Sequence, residues 1–182
     1  RVWMSEVGQS PSYVAGHSLG EYSALVASNA LTLAQAVPLV RLRAQAMQEA
    51  VPVGTGAMAA ILGMEAQKVV AICQEITQSM GNPSQELVEA VNFNDPMQTV
   101  IAGSKLAVEK ASEALKAAGA KRALPLPVSA PFHCSLMKPA AEKLKEKLHD
   151  TNIATPTIAL INNIDVKIES QPEAIRDALY RQ

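Results

Sequence analysis

Gly16-His17-Ser18-Leu19-Gly20 sets a serine between two glycines in a G-x-S-x-G pattern. A short β-prone run, Ser12-Tyr13-Val14-Ala15, leads into it, and a helical segment from Ser18 to Asn29 leads out. In that context the pattern predicts a nucleophile elbow. A turn too tight for side chains at the glycines lifts Ser18 Oγ above the sheet edge, ready to attack a carbonyl. The start of the helix aims backbone N–H groups at the same spot, and the Leu19 N–H is a natural oxyanion donor. The plainer alternative is a glycine-bracketed turn with an N-cap serine.

A serine nucleophile needs a base, and the chain has 3 histidines. His17 is adjacent to Ser18, so its side chain leaves the turn in another direction. His149 sits on a lysine-rich helix face. His133 lies in Ser129-Ala130-Pro131-Phe132-His133-Cys134, a proline-punctuated loop of the kind in which a scaffold holds catalytic side chains. A neutral imidazole there suits a general base; a buried structural histidine is the alternative. The acid of a Ser–acid–His order is not evident, because the candidate, Asp95, sits in Asn94-Asp95-Pro96, where turn chemistry is its default role. Arg41 and Arg43 flank an apolar helical stripe on opposite edges, and either one could fork onto a carboxylate. The helical wheel leaves that choice open. No metal-ligand spacing, phosphate loop or basic nucleic-acid patch is present.

The elements that must carry these residues follow from periodicity. Within the helix from Ser18, Leu25-Val26-Ala27 is expected to pack inward. Thr32-x-x-Gln35 has the form of a capping box and opens a second helix through about Val51. Its expected core face is Val37, Val40, Ala44, Met47 and Val51, with a kink at Pro38. From Gly54 to Val128 the order reads β-α-β-β-α-β, a split βαβ, ferredoxin-like unit. Residues 54–128 are therefore expected to form a small inserted subdomain between two parts of a main domain, 1–53 and 129–182. After it, Leu136, Ala140, Leu144 and Leu148 mark an amphipathic helix whose other face carries Lys143, Lys145, Glu146 and Lys147. That face reads as solvated surface, or more sharply as a docking patch for an acidic partner. Thr157 to Ile161 is a buried strand ending at Asn162-Asn163.

Composition bounds the rest. The chain has 182 residues, with 16 Lys+Arg against 17 Asp+Glu, which argues against a nucleic-acid-binding surface. Hydrophobic residues at 48% and charged residues at 18% support a folded core; with aromatics at only 3%, aliphatic side chains must fill it. No apolar run is long enough to span a membrane. Two cysteines, Cys73 and Cys134, permit one pair at most, and a reducing cytoplasm is expected. The first and last residues read like helices cut short, so the chain is expected to be a piece of a longer protein.

Taken together, these residues resemble a known family. Gly16-His17-Ser18-Leu19-Gly20-Glu21-Tyr22-Ser23-Ala24-Leu25 is similar to the signature of the malonyl-CoA:acyl-carrier-protein transacylases. So are Leu42-Arg43 with Met47-Gln48, Gly54-Thr55-Gly56-Ala57-Met58-Ala59, Val91-Asn92-Phe93-Asn94, and His133 followed by Met137-Lys138-Pro139-Ala140. The resemblance extends over nearly the whole chain, and implies an α/β fold: an α/β-hydrolase-like core with an inserted ferredoxin-like subdomain. It implies Ser18 as nucleophile, His133 as base and then acid, Leu19 as one oxyanion donor, and Arg43 as the fork for the malonyl carboxylate. It also implies substrate contacts at Phe132 and Asn94, and a backbone carbonyl at Gln182 that orients the histidine in place of an acid. The implied substrate is malonyl-CoA and the implied partner is an acyl carrier protein that brings its own phosphopantetheine. No cofactor or metal, a monomer, and a place in fatty-acid synthesis are expected. A polyketide acyltransferase is the near alternative, and a serine hydrolase or thioesterase the distant one.

Overall fold

Strand-forming runs and helical stripes alternate along the chain, so mixed α/β structure follows from the sequence. A computed structural model describes residues 2–128 and 130–182. In chain order the elements are α1 (Val2–Glu6), β1 (Tyr13–Ala15), α2 (Leu19–Ala27), α3 (Leu33–Glu49), β2 (Gly56–Leu62), α4 (Ala66–Ser79) and β3 (Val88–Asp95). They continue as β4 (Gln98–Ser104), α5 (Lys105–Ala117), β5 (Arg122–Pro125), α6 (Lys138–His149), β6 (Ala159–Ile161), β7 (Ile168–Glu169) and α7 (Pro172–Arg181). Two compact units result, Arg1–Ala44 with Ala141–Gln182, and Gln45–Ala140.

In the first unit β1 runs parallel to β6, with Val14 opposite Leu160, and β7 turns back against β6. Leu25, Leu39, Leu148, Leu160, Ile175 and Leu179 form its core, all 2% exposed or less. Burying each such side chain contributes roughly 1.5–3 kcal/mol. The guanidinium of Arg176 in α7 donates to the carbonyl oxygens of Leu148 and Thr151, satisfying groups that the end of α6 leaves open.

The second unit is a four-stranded antiparallel sheet in the order β3-β4-β2-β5, with Ala59 opposite Ile101 and Ile61 opposite Ala123. Alternation divides β2 between two faces. Ala59 and Ile61 join Val69 and Cys73 of α4 and Val108 and Leu115 of α5 in one core. Met58 joins Val100, Ala102 and Cys134 in another, with Phe132 packed against it. Both cysteines are buried and free.

The capping box forms as its spacing predicts: the Gln35 N–H donates to Thr32 Oγ1 (3.2 Å), and the Thr32 N–H donates to Gln35 Oε1 (2.9 Å). The helix it opens stays continuous across Pro38. Three expectations need correcting. Of the expected inward face of α3, Met47 is buried and Val40 and Val51 pack against the cores, but Val37 is 57% exposed and Ala44 is exposed too. Ala36, Leu39 and Ala46 are buried instead. In α2, Leu25 points inward but Ala27 is exposed. The strand from Arg122 ends at Pro125, because Pro125 and Pro127 supply no N–H to a ladder. No helix of the described residues is long and apolar enough to cross a membrane.

Candidate active site

Ser18 joins β1 to α2 with φ 53° and ψ −113°, a conformation that costs an ordinary residue roughly 1–3 kcal/mol. Around it the Gly20 N–H donates to the His17 carbonyl (2.8 Å) and the Glu21 N–H to the Ser18 carbonyl (3.1 Å). The two glycines are not equivalent. A Cβ at Gly16 would meet the Gly20 carbonyl carbon at 2.0 Å, so only hydrogen fits there. At Gly20 a Cβ would meet nothing within 4 Å, which corrects the expectation that both glycines are sterically required. Leu19 is the first residue of α2, so its N–H has no carbonyl within the helix to bond.

A closed polar circuit surrounds the serine. The Ser18 N–H donates to Asn163 Oδ1 (2.7 Å), and the Asn163 N–H donates to Glu21 Oε2 (3.1 Å). Gln182 Nε2 donates to the same Glu21 oxygen (2.7 Å). Arg43 Nη2 closes the circuit, donating to Gln182 Oε1 (2.9 Å) and to Ser18 Oγ (2.8 Å). The guanidinium also lies 5.8 Å from the centroid of the Tyr22 ring. Burial raises the Glu21 carboxyl above its ordinary pKa, opposed by its hydrogen bonds from Asn163 and Gln182 and by the Arg43 charge. Burial likewise lowers the Arg43 guanidinium and pushes the Tyr22 phenol up to about 12. A pocket of about 330 Å³ opens beside the turn, lined by Ala15, Gly16, His17, Ile161, Asn163 and Val166 among others. It lies past the carboxyl ends of the parallel strands β1 and β6, the usual place for a ligand in such sheets.

The remaining candidates belong to the second unit. Pro131 packs on Gly56 of β2 so closely that a Cβ there would come within 2.3 Å of Pro131 Cδ. The following residues, Phe132 and His133, are half-buried, and His133 has φ 67°. Two positions on, Glu89 of β3 accepts from both the N–H and the hydroxyl of Ser135, each at 2.6 Å. Asn94 is exposed near the end of β3, beside a register shift between Phe93 and Asp95. Asp95 Oδ1 accepts from the Met97 N–H (2.9 Å), so it serves the turn. Among the described residues no cluster of metal-ligating side chains occurs.

The acyl transferase domain family matches residues 2–181. The chain belongs to the acyl transferase family. It is 54% identical over 182 residues to the malonyl CoA-acyl carrier protein transacylase of Escherichia coli K12, covering 100% of this chain and 57% of that protein. Among solved structures it is similar to an acyl-carrier-protein S-malonyltransferase from Burkholderia pseudomallei 1710b, with a TM-score of 0.93 and 57% identity. That match covers 100% of this chain and 57% of the other. A malonyl-transacylase in complex with its type II polyketide-synthase acyl-carrier protein gives a TM-score of 0.93 at 54% identity, with the same coverage. The chain thus spans little more than half the length of the relatives it matches.

For this acyl transferase chain, the first unit brings together Ser18, Leu19, Arg43 and the Gln182 side chain. Arg43 falls on the buried face of α3 between Leu39 and Ala46, whereas Arg41 is exposed. Glu21, Tyr22 and Asn163 escaped the sequence reading. An acid in the first turn of a helix reads as a surface partner for the helix dipole, and here it is 1% exposed. Asn163 had a weak signal as the residue ending the β6 strand.

Proposed function

We propose that the protein containing this chain transfers a malonyl group from malonyl-CoA to the phosphopantetheine thiol of an acyl carrier protein. In this reading Ser18 Oγ attacks the thioester carbonyl while His133 takes the hydroxyl proton. The Leu19 N–H stabilises the oxyanion at the start of α2. The C–S bond then breaks, the departing thiolate takes the proton from His133, and malonyl remains as an ester on Ser18. Attack by the pantetheine thiol reverses the steps and restores the serine. The Gln182 backbone carbonyl orients the imidazole, and Phe132 and Asn94 line the acyl path.

One observation carries the reading: Arg43 Nη2 lies 2.8 Å from Ser18 Oγ. A malonyl group has its carboxylate one methylene from the carbonyl under attack. A cation beside the nucleophile therefore selects an acyl group with a terminal anion, and an acetyl group would leave that cation unpaired. Phe132 before His133 leaves little room for an α-methyl branch, so malonyl is favoured over methylmalonyl. Comparable kcat/KM for methylmalonyl-CoA would count against that assignment.

The antiparallel order of the second sheet and its βαββαβ sequence support a ferredoxin-like subdomain at 54–128. Parallel β1 and β6 with a serine elbow after β1 support an α/β-hydrolase-like core from 1–53 and 129–182. Fatty-acid synthesis is the leading pathway, and the similarity to the polyketide transacylase complex favours polyketide assembly as the second reading.

The test is intact mass after incubation with malonyl-CoA, for this chain and for the full-length protein, with Ser18→Ala as control. The expected result is an adduct on the full-length protein that needs Ser18 and moves to a holo carrier protein. Release of free malonate and CoA without an adduct would replace transfer with hydrolysis.

A further inference from the structure

Glu21 touches neither the Ser18 hydroxyl nor the Arg43 guanidinium, yet both are tied to it. Its Oε2 receives two donors: the Asn163 N–H, whose side chain holds the Ser18 N–H, and Gln182 Nε2, whose carbonyl holds Arg43 Nη2. Arg43 in turn bonds Ser18 Oγ, so the carboxylate is the hub from which two arms reach the nucleophile and its cation. The hub is 1% exposed and sits one turn after the elbow, in the helix that starts at Leu19. Its other oxygen, Oε1, is buried without a hydrogen-bond partner among the described residues.

We propose that Glu21 is a positioning residue that sets the elbow and the carboxylate-binding arginine in one fixed register. The inference rests on the roles assigned above to Ser18 and Arg43. The arms have separable duties. The Asn163 arm fixes the backbone of the elbow, and hence the reactivity of Ser18. The Gln182 arm fixes the guanidinium, and hence the preference for an acyl group ending in a carboxylate. One acceptor oxygen does both jobs, so geometry matters more than charge. A glutamine at position 21 keeps an oxygen where Oε2 lies and directs its NH2 to the unpartnered Oε1 side.

The test uses the full-length protein and four variants, Glu21→Ala, Glu21→Gln, Asn163→Ala and Gln182→Ala; the last leaves its own backbone carbonyl in place. Two readouts are taken: the rate at which a neutral fluorophosphonate labels Ser18, and the ratio of malonyl to acetyl transfer. Glu21→Ala should slow labelling and lower the ratio, each roughly 10-fold or more, and Glu21→Gln should recover both to within a few-fold. Asn163→Ala should lower labelling more than the ratio, and Gln182→Ala the ratio more than labelling. Should Glu21→Ala fail to fold, the opposite effects of the two arm variants still decide the matter. Wild-type labelling and ratio in Glu21→Ala, or equal losses on both readouts in the arm variants, would overturn the proposal. A wild-type protein that labels at Ser18 but transfers no malonyl would sink the transacylase reading and leave the labelling arm of this one standing.

Discussion

Arg43 is a cation held half-buried by Ser18, Gln182 and the Tyr22 ring. If Arg43 holds a malonyl carboxylate as proposed, removing those charge-assisted bonds should cost about 1.5–3 kcal/mol. Arg43→Ala is therefore expected to lower kcat/KM for malonyl-CoA roughly 10–100-fold and to leave acetyl-CoA unaffected or improved. Steady-state kinetics with both substrates decide it; an equal fall for both would make Arg43 structural. Tyr22 gives a test in pH. Its phenol is raised from 10.0 to about 12 by burial. The unfolded phenol then loses its proton first, so rising pH favours the unfolded chain. The stability linked to Tyr22 is fully present below pH 10 and is lost as pH climbs through 12. Tyr22→Phe removes this dependence, and at neutral pH it loses little, because the hydroxyl has no partner among the described residues. Urea midpoints at pH 9 and 11 should show wild type losing about 1 kcal/mol more than the variant over that interval. A constant difference would mean that the phenol titrates normally.

At the scale of elements, what matters is how closely backbones approach. The elbow depends on α2 passing Gly16 with no room for a Cβ. Gly16→Ala should destabilise the chain by roughly 1–3 kcal/mol or more and abolish Ser18 labelling, while Gly20→Ala, in open space, should do neither. The loop carrying His133 has its own fastener, the pair of bonds from Ser135 to Glu89. Loss of that carboxylate in Glu89→Ala should lower stability by about 1–2 kcal/mol and reduce kcat more than it raises KM. A raised KM with unchanged kcat would assign the loop to binding instead. Elements were also the most legible level of the sequence. Thr32 and Gln35 announced a helix start because a capping box is local chemistry, complete within one turn. The inward face of α3 is legible only in part, for an equally physical reason. Arg43 lies between Leu39 and Ala46 on the buried face, so apolar periodicity alone passes over part of that face and takes in exposed Val37 and Ala44 alongside packed Val40 and Met47.

Across the whole molecule, legibility follows sequence separation. Ser18 could be found because its neighbours in sequence make its turn. Asn163 lies 145 residues away and is brought to Ser18 only by the parallel pairing of β1 with β6. Glu21 lies next to the motif, but the expectation that a glutamate faces water concealed it. The polar circuit thus became readable only once the fold had joined its distant parts, whereas the serine at its centre was readable from five residues. The two cysteines bear on how the proposed acyl transfer can be followed. Burial drives both thiols up to about 12, so each stays protonated and out of reach of disulfide exchange. The native chain should be silent toward Ellman's reagent. In a mixture with malonyl-CoA and no carrier protein, whose own thiol would react, developing thiol colour would then report released coenzyme A alone.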